Sequence, residues 1–125
     1  MALVLDAGAF LAAERGDREL VALLKDELGR GRAPLTHGGI VGQVWRGGAR
    51  QARLALLLAG TEVAPLDDAL GRRAGALLAR ARKADVVDAA LALLATDGDT
   101  LLSSDPGDLR ALVDAAGLAV DVLPL

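Results

Sequence analysis

The chain has 125 residues, the length of one domain, and 53% of them are hydrophobic, which suits a packed core and excludes a disordered chain. A net charge of -3 argues against capture of nucleic acid by bulk charge, leaving only local basic clusters for that task. With 0 cysteines there is no disulfide frame, no thiolate metal site and no thiol nucleophile. Aromatic residues are only 2%, so Leu, Val and Ala must build the core. The apolar N-terminus lacks a charged leader and is interrupted by Asp6, so no signal peptide is expected. No apolar run approaches the ~20 residues that span a bilayer, and a cytoplasmic location is the expectation.

The first apolar run, Ala2-Leu3-Val4-Leu5, stops at Asp6 and passes at once into a helix-forming stretch. It reads as a buried strand delivering a carboxylate to the carboxyl end of a sheet, the edge where open parallel α/β sheets bind ligands. Gly8 to Glu14 is a short helix anchored by Phe10 and Leu11 and broken at Gly16. Asp17 suits the cap of a helix over Arg18 to Arg30, where Leu20, Leu23, Leu24 and Leu28 recur at helical spacing. Ala33 to Thr36 is a brief second strand with Pro34 at its start, where a strand tolerates proline.

Gly38-Gly39 opens a helix over Ile40 to Arg46, and Ala49 to Ala59 forms another with Leu54, Leu57 and Leu58 inward. Thr61 to Leu66 is a third strand, and Asp67 caps a long helix reaching to about Lys83. Asp85 starts a helix over Val86 to Ala95, and Asp97-Gly98-Asp99 is a turn. Thr100 to Ser103 is the fourth strand, Pro106 to Ala116 the last helix and Ala119 to Leu123 the last strand. Strands alternating with helices predict one three-layer α/β domain over residues 1–125, a central parallel sheet flanked by helices.

Each carboxylate in this pattern has an ordinary explanation. Asp6, Asp85 and Asp105 stand where helices start and suit capping, while Asp88 and Asp108 fall in first turns, where negative charge suits the helix dipole. Their shared location suggests more. Asp6 and Asp105 both follow apolar strands, whose carboxyl ends line one edge of a parallel sheet, and Asp85 and Asp88 lie one turn apart on one helix face. Gathered carboxylates repel and raise one another's pKa, which a fold tolerates if a cation resides among them. An all-oxygen donor set suits Mg²⁺ or Mn²⁺, and such ions activate water for displacement at phosphorus.

Along its whole length the chain resembles the PIN-domain ribonucleases, in particular the toxin half of VapBC-type toxin–antitoxin pairs. The residues that carry the resemblance are Asp6 in LVLDAGAF, the stretch GGIVGQVWRGG, Asp85 and Asp88 in DVVDAALALLA, and the final set Ser103, Asp105 and Asp108. The resemblance implies a metal-dependent endoribonuclease that uses a metal-activated water and leaves a 5′-phosphate and a 3′-hydroxyl. It implies Asp6, Asp88 and Asp105 as main ligands of Mg²⁺ or Mn²⁺, with Asp85 and Asp108 supporting. One position departs, because Gln43 stands where the family usually has Glu. An amide can orient a water but is uncharged and a poor base, so an impaired module that mainly binds its antitoxin is the alternative function.

Arg46, Arg50 and Arg53 flank Gly47-Gly48 near Gln43 and are candidates for holding RNA phosphates, against the plainer reading of a solvated helix face. Arg72-Arg73 and Arg80-Ala81-Arg82-Lys83 read as charges on the outer side of a helix, and His37 as structural rather than a proton donor. Core packing is the default for Phe10 and Trp45. The resembled toxins hold an antitoxin helix in a groove near the N-terminal helices, which nominates Phe10, Leu11, Leu20 and Leu24 for that contact. They also tend to dimerise, so a homodimer is expected. A phosphate-accepting receiver domain is excluded by Ala7-Gly8 after Asp6 and by the lack of any Lys after Lys83, and an Asp-x-Asp phosphatase by Gly8.

Overall fold

The computed structural model describes residues 1–125. Five short strands, β1 (Leu3–Leu5), β2 (Leu35–His37), β3 (Glu62–Ala64), β4 (Thr100–Ser103) and β5 (Asp121–Pro124), form one sheet in the order β3-β2-β1-β4-β5. Every neighbouring pair is parallel. The connections carry α1 (Ala7–Glu14), α2 (Arg18–Gly29), α3 (Gly38–Val44), α4 (Ala52–Ala59), α5 (Asp68–Ala81), α6 (Val86–Leu94) and α7 (Pro106–Ala115). α1 packs on α2, α3 and α4, while α5, α6 and α7 pack on one another, which gives a three-layer α/β fold with the sheet between the two helical layers. β1 and β4 are buried along their whole length, as expected of central parallel strands covered on both faces, whereas the edge strands β3 and β5 are largely exposed.

The helix starts follow their local chemistry. Asp17 accepts the Leu20 N–H at 3.0 Å and Asp67 the Leu70 N–H at 2.9 Å, caps worth about 1 kcal/mol each. Element bounds differ from the sequence expectation where side chains intervene. α3 starts at Gly38 and stops at Val44, and Ala49–Gln51 forms a single 3-10 turn, so α4 begins only at Ala52. Gln51 is buried under this loop. Its Oε1 accepts the N–H groups of Arg46 and Gly47 at 2.8 and 3.0 Å, and its Nε2 donates to the Val44 carbonyl at 2.9 Å. The path between the two helices is turned by Gly47 and Gly48, at φ 78° and 109°, and Gln51 pins the loop they form.

His37 is fully buried and both ring nitrogens are used. Nδ1 accepts the Gly39 N–H at 3.0 Å to cap α3, and Nε2 donates to the Val87 carbonyl at 2.9 Å, tying β2 to α6. Burial holds its pKa below the ordinary value, so it is a neutral strut. The two aromatics part company. Phe10 is completely buried, but Trp45 is 43% exposed and not in the core, because α3 ends at buried Val44 and the chain turns extended at the next residue.

The expectation that the long helix runs to Lys83 fails for a backbone reason. α5 closes at Ala81, and Arg82 adopts the left-handed conformation with φ 56°, alone among the non-glycine residues. The Lys83 N–H then returns to the Leu78 carbonyl at 3.1 Å, a Schellman closure usually built on glycine. Arginine in that conformation costs about 1 kcal/mol relative to an unstrained residue. The turn carries Lys83 away from the axis of α5 and towards the start of α7.

Candidate functional site at the carboxyl edge of the sheet

The strand order reverses direction at β1 and β4. One connection leads from β1 outward to β2 and the other from β4 outward to β5, which makes their carboxyl ends the switch point of the sheet, the place where folds of this kind form their ligand crevice. Leu5 lies in register with Leu102, so Asp6 emerges beside the loop that follows β4, and its N–H donates to the Leu102 carbonyl at 3.3 Å. The Asp6 carboxylate is buried with both oxygens held. Oδ1 accepts the Ala9 N–H at 2.9 Å, and Oδ2 the Ser104 N–H at 3.2 Å. It is therefore a helix cap and a strand-edge carboxylate at once. Gly8 permits this approach, since a β-carbon there would fall on the Ser104 side chain.

The loop after β4 is shaped by Ser103, which is buried and accepts the Asp105 N–H on its hydroxyl at 2.8 Å. Asp105 stands at the N-cap position of α7 with a proline behind it, yet its side chain caps nothing and is exposed. The plain capping explanation thus fails for this residue. It holds for Asp85, whose Oδ1 accepts the N–H groups of Val87 and Asp88 at 2.9 and 3.1 Å. Asp88 lies in the first turn of α6, half-buried, and Asp108 in the first turn of α7, where Lys83 Nζ reaches it at 2.8 Å. That contact holds the Lys83 ammonium above its ordinary pKa, and Asp105 adds to the effect.

Asp88 registers how crowded the edge is. Burial pushes its carboxyl up to about 6, and the charges of Asp85, Asp6, Asp105 and Asp108 push the same way. These are the five carboxylates nominated from the sequence, carried by three separate segments of the chain. As the side chains stand, no three of them close into a metal cage. Asp85 and Asp108, expected as supporting ligands, are already engaged by the backbone of α6 and by Lys83. Asp6, Asp88 and Asp105 retain open lone pairs, and a half-buried, mutually repelling set of hard oxygens fits Mg²⁺ or Mn²⁺ better than Zn²⁺.

Gln43 is exposed on the last turn of α3. The three arginines are not among the charges that bear on Asp88. Arg46 folds back, its Nη1 donating to the Gly42 and Trp45 carbonyls at 3.0 and 2.8 Å, and Arg50 lies exposed on the 3-10 turn. The Arg53 guanidinium lies against Gly16, beyond the far end of α1 and roughly 12 Å along that helix from Asp6. The residues that sequence reasoning passed over are Lys83, Ser104 and Gly8. Lys83 stands two positions before Asp85, a proximity visible in the sequence, but helical periodicity pointed it outward.

Away from this edge, α2, α4 and the end of α1 enclose an apolar groove of about 650 Å³. Leu24, Leu28, Leu56 and Leu57 line it, and Arg18, Lys25 and Arg53 contribute charge. Of the residues nominated for an antitoxin helix, Leu24 lines the groove and Leu11 is 38% exposed. Phe10 and Leu20 do not line it; both belong to the core, as Leu24 also does at its inner side. No helix is long and apolar enough to cross a membrane. Compared with known proteins, the chain matches no family model and no curated sequence.

Proposed function

We propose that the protein is a divalent-metal-dependent endoribonuclease of the PIN-domain kind, acting as the toxin of a type II toxin–antitoxin pair. One observation carries the reading. Carboxylates from three segments gather at the carboxyl edge of β1 and β4, where burial first and the neighbouring acids second push Asp88 up to about 6. Crowding of this kind destabilises a fold and is reasonable where a cation relieves it. The chain order of the acids and the all-parallel sheet support the resemblance drawn from the sequence.

Asp6, Asp88 and Asp105 would hold Mg²⁺ or Mn²⁺. When bound, the cation would polarise a water and offset the charge of the phosphodiester. Asp6 is oriented for this by the Ala9 and Ser104 N–H groups, and Asp105 by the Ser103 hydroxyl acting on its backbone. Asp88 would complete this donor set from the first turn of α6. Gln43 can orient that water but not deprotonate it.

The alternative is a module blunted by Gln43 that chiefly binds its antitoxin. The apolar groove beside Arg18, Lys25 and Arg53 favours this partner, since an amphipathic helix with an acidic rim would match both its lining and its charge. Trp45 and Val41, with Leu58 and Ala55 around a shallow depression, supply the apolar surface that supports a homodimer.

Cleavage of a mixed structured RNA in Mn²⁺ or Mg²⁺, against EDTA and against Asp88→Asn, tests the nuclease directly. Activity should need both the metal and Asp88. Metal-independent cleavage, or an Asp88→Asn protein as fast as the parent, would end the reading. Gln43→Glu separates the two alternatives: a gain of less than about tenfold favours the nuclease, and one of 10²-fold or more the impaired module.

A further inference from the structure

An RNA phosphate approaching this edge meets a field of carboxylates, and the arginines nominated to receive it lie elsewhere. Arg46 is turned onto the end of α3, and Arg53 lies beside Gly16. The structure brings one different cation to this edge. Lys83 Nζ rests on Asp108 Oδ1 at 2.8 Å, and Asp105 also bears on its charge. Its backbone is bent to reach there, because the left-handed turn at Arg82 releases it from α5. The pair is accessible, with the Lys83 side chain 36% and the Asp108 side chain 49% exposed, so the ammonium is free to change partners at little cost.

We propose that Lys83 is the phosphate-positioning residue of this site, its ammonium resting on Asp108 and exchanging that carboxylate for a non-bridging phosphate oxygen of RNA. The inference rests on the nuclease reading above. An ammonium on a flexible stem offers three donors and a compact charge, which suits this exchange better than a planar guanidinium fixed in a fork. Lys83 and a divalent cation compete for the same carboxylate field, so the residue should oppose metal binding and favour RNA binding. A residue that only ties α5 to α7 would also oppose the metal through its charge, but would leave RNA affinity unchanged.

The test compares the parent with Lys83→Met and Lys83→Arg in two measurements: calorimetric Mn²⁺ affinity, and fluorescence-anisotropy binding of a single-stranded RNA in Ca²⁺. Lys83→Met should bind Mn²⁺ about tenfold more tightly. It should bind RNA about tenfold more weakly, with a salt slope smaller by about 0.7. Lys83→Arg should recover most of the RNA affinity. Asp108→Asn, which frees the ammonium without removing it, should keep RNA affinity at or above that of the parent, and does not depend on Lys83→Met folding. An unchanged Mn²⁺ affinity or an unchanged RNA affinity in folded Lys83→Met overturns the proposal, as does weakened RNA binding in Asp108→Asn. A parent protein that binds no Mn²⁺ overturns the nuclease reading as well, which separates the two failures.

Discussion

The two ends of β4 carry the same residue type in opposite circumstances. At the amino end Asp99 is buried, but each oxygen has donors. Oδ1 accepts the Ala2 N–H at 2.8 Å, and Oδ2 accepts the N–H and hydroxyl of Thr96 at 2.9 and 3.2 Å. Asp97 likewise accepts the Ala119 N–H at 2.8 Å. At the carboxyl end Asp105 caps nothing, and Asp88 sits under four other carboxylates. Burial of an acid is therefore not what separates the two ends. Donors supplied per oxygen separate them: where the backbone meets the demand the acid is architecture, and where acids face one another their repulsion is left unrelieved by the fold.

The largest expected effect comes from Asp6, which belongs to both kinds. Asp6→Asn should lower cleavage by about 10²-fold or more. It should also cost about 1–2 kcal/mol, because the amide NH₂ must face either the Ala9 or the Ser104 N–H that an oxygen now accepts. Nuclease assays and denaturant melts on one preparation would read both. A full cleavage rate would remove Asp6 from the site.

Asp99→Ala sharpens the contrast from the other end. It strands the donors of Ala2 and Thr96 and should cost about 3 kcal/mol, measured by urea unfolding, while Mn²⁺ affinity stays at the parental value. A change in metal affinity would mean that the two ends are not independent.

Asp88→Asn should have the opposite sign. The folded-state pKa is raised from an ordinary value near 3.8 to about 6, so the fold prefers the protonated carboxyl. Stability from this group is fully present below about pH 4 and is lost as pH rises through about 6. The asparagine variant should therefore be more stable than the parent by on the order of 1–2 kcal/mol at pH 8, allowing for solvent screening, and no more stable at pH 4. Mn²⁺ should raise the Tm of the parent more at pH 7.5 than at pH 5 and leave that of the variant nearly unmoved. Thermal melts across pH check each part.

The smallest effect lies at the strained turn. Arg82→Gly relieves the left-handed conformation but gains disorder in the unfolded chain, for a net stabilisation of about 0.5 kcal/mol. A destabilised variant would show that the arginine side chain, and not its backbone, matters there.

Much of the frame was legible in advance. β4 spans the predicted residues, and the alternation of strands and helices is as read, because apolar runs, capping aspartates and glycine breaks are local signals. The five acids at one edge were legible for a topological reason: parallel strands present their carboxyl ends together. The misreadings share a different cause. Trp45 is on the surface because buried Val44 ends α3, the helix from Ala49 is delayed because Gly47 and Gly48 turn the loop that Gln51 pins, and Lys83 faces the acids because Arg82 leaves the helical conformation. None of these has a periodicity to detect.

What the sequence by itself determined is thus the α/β alternation and the arrival of carboxylates at one edge, both consequences of short-range pattern plus strand direction. Only the tertiary structure decided which carboxylates the backbone would satisfy and which would be left to repel one another. That choice depends on donors brought from distant segments, such as Ser104 to Asp6, Ala2 to Asp99 and Lys83 to Asp108, and long-range approach is what local pattern does not encode.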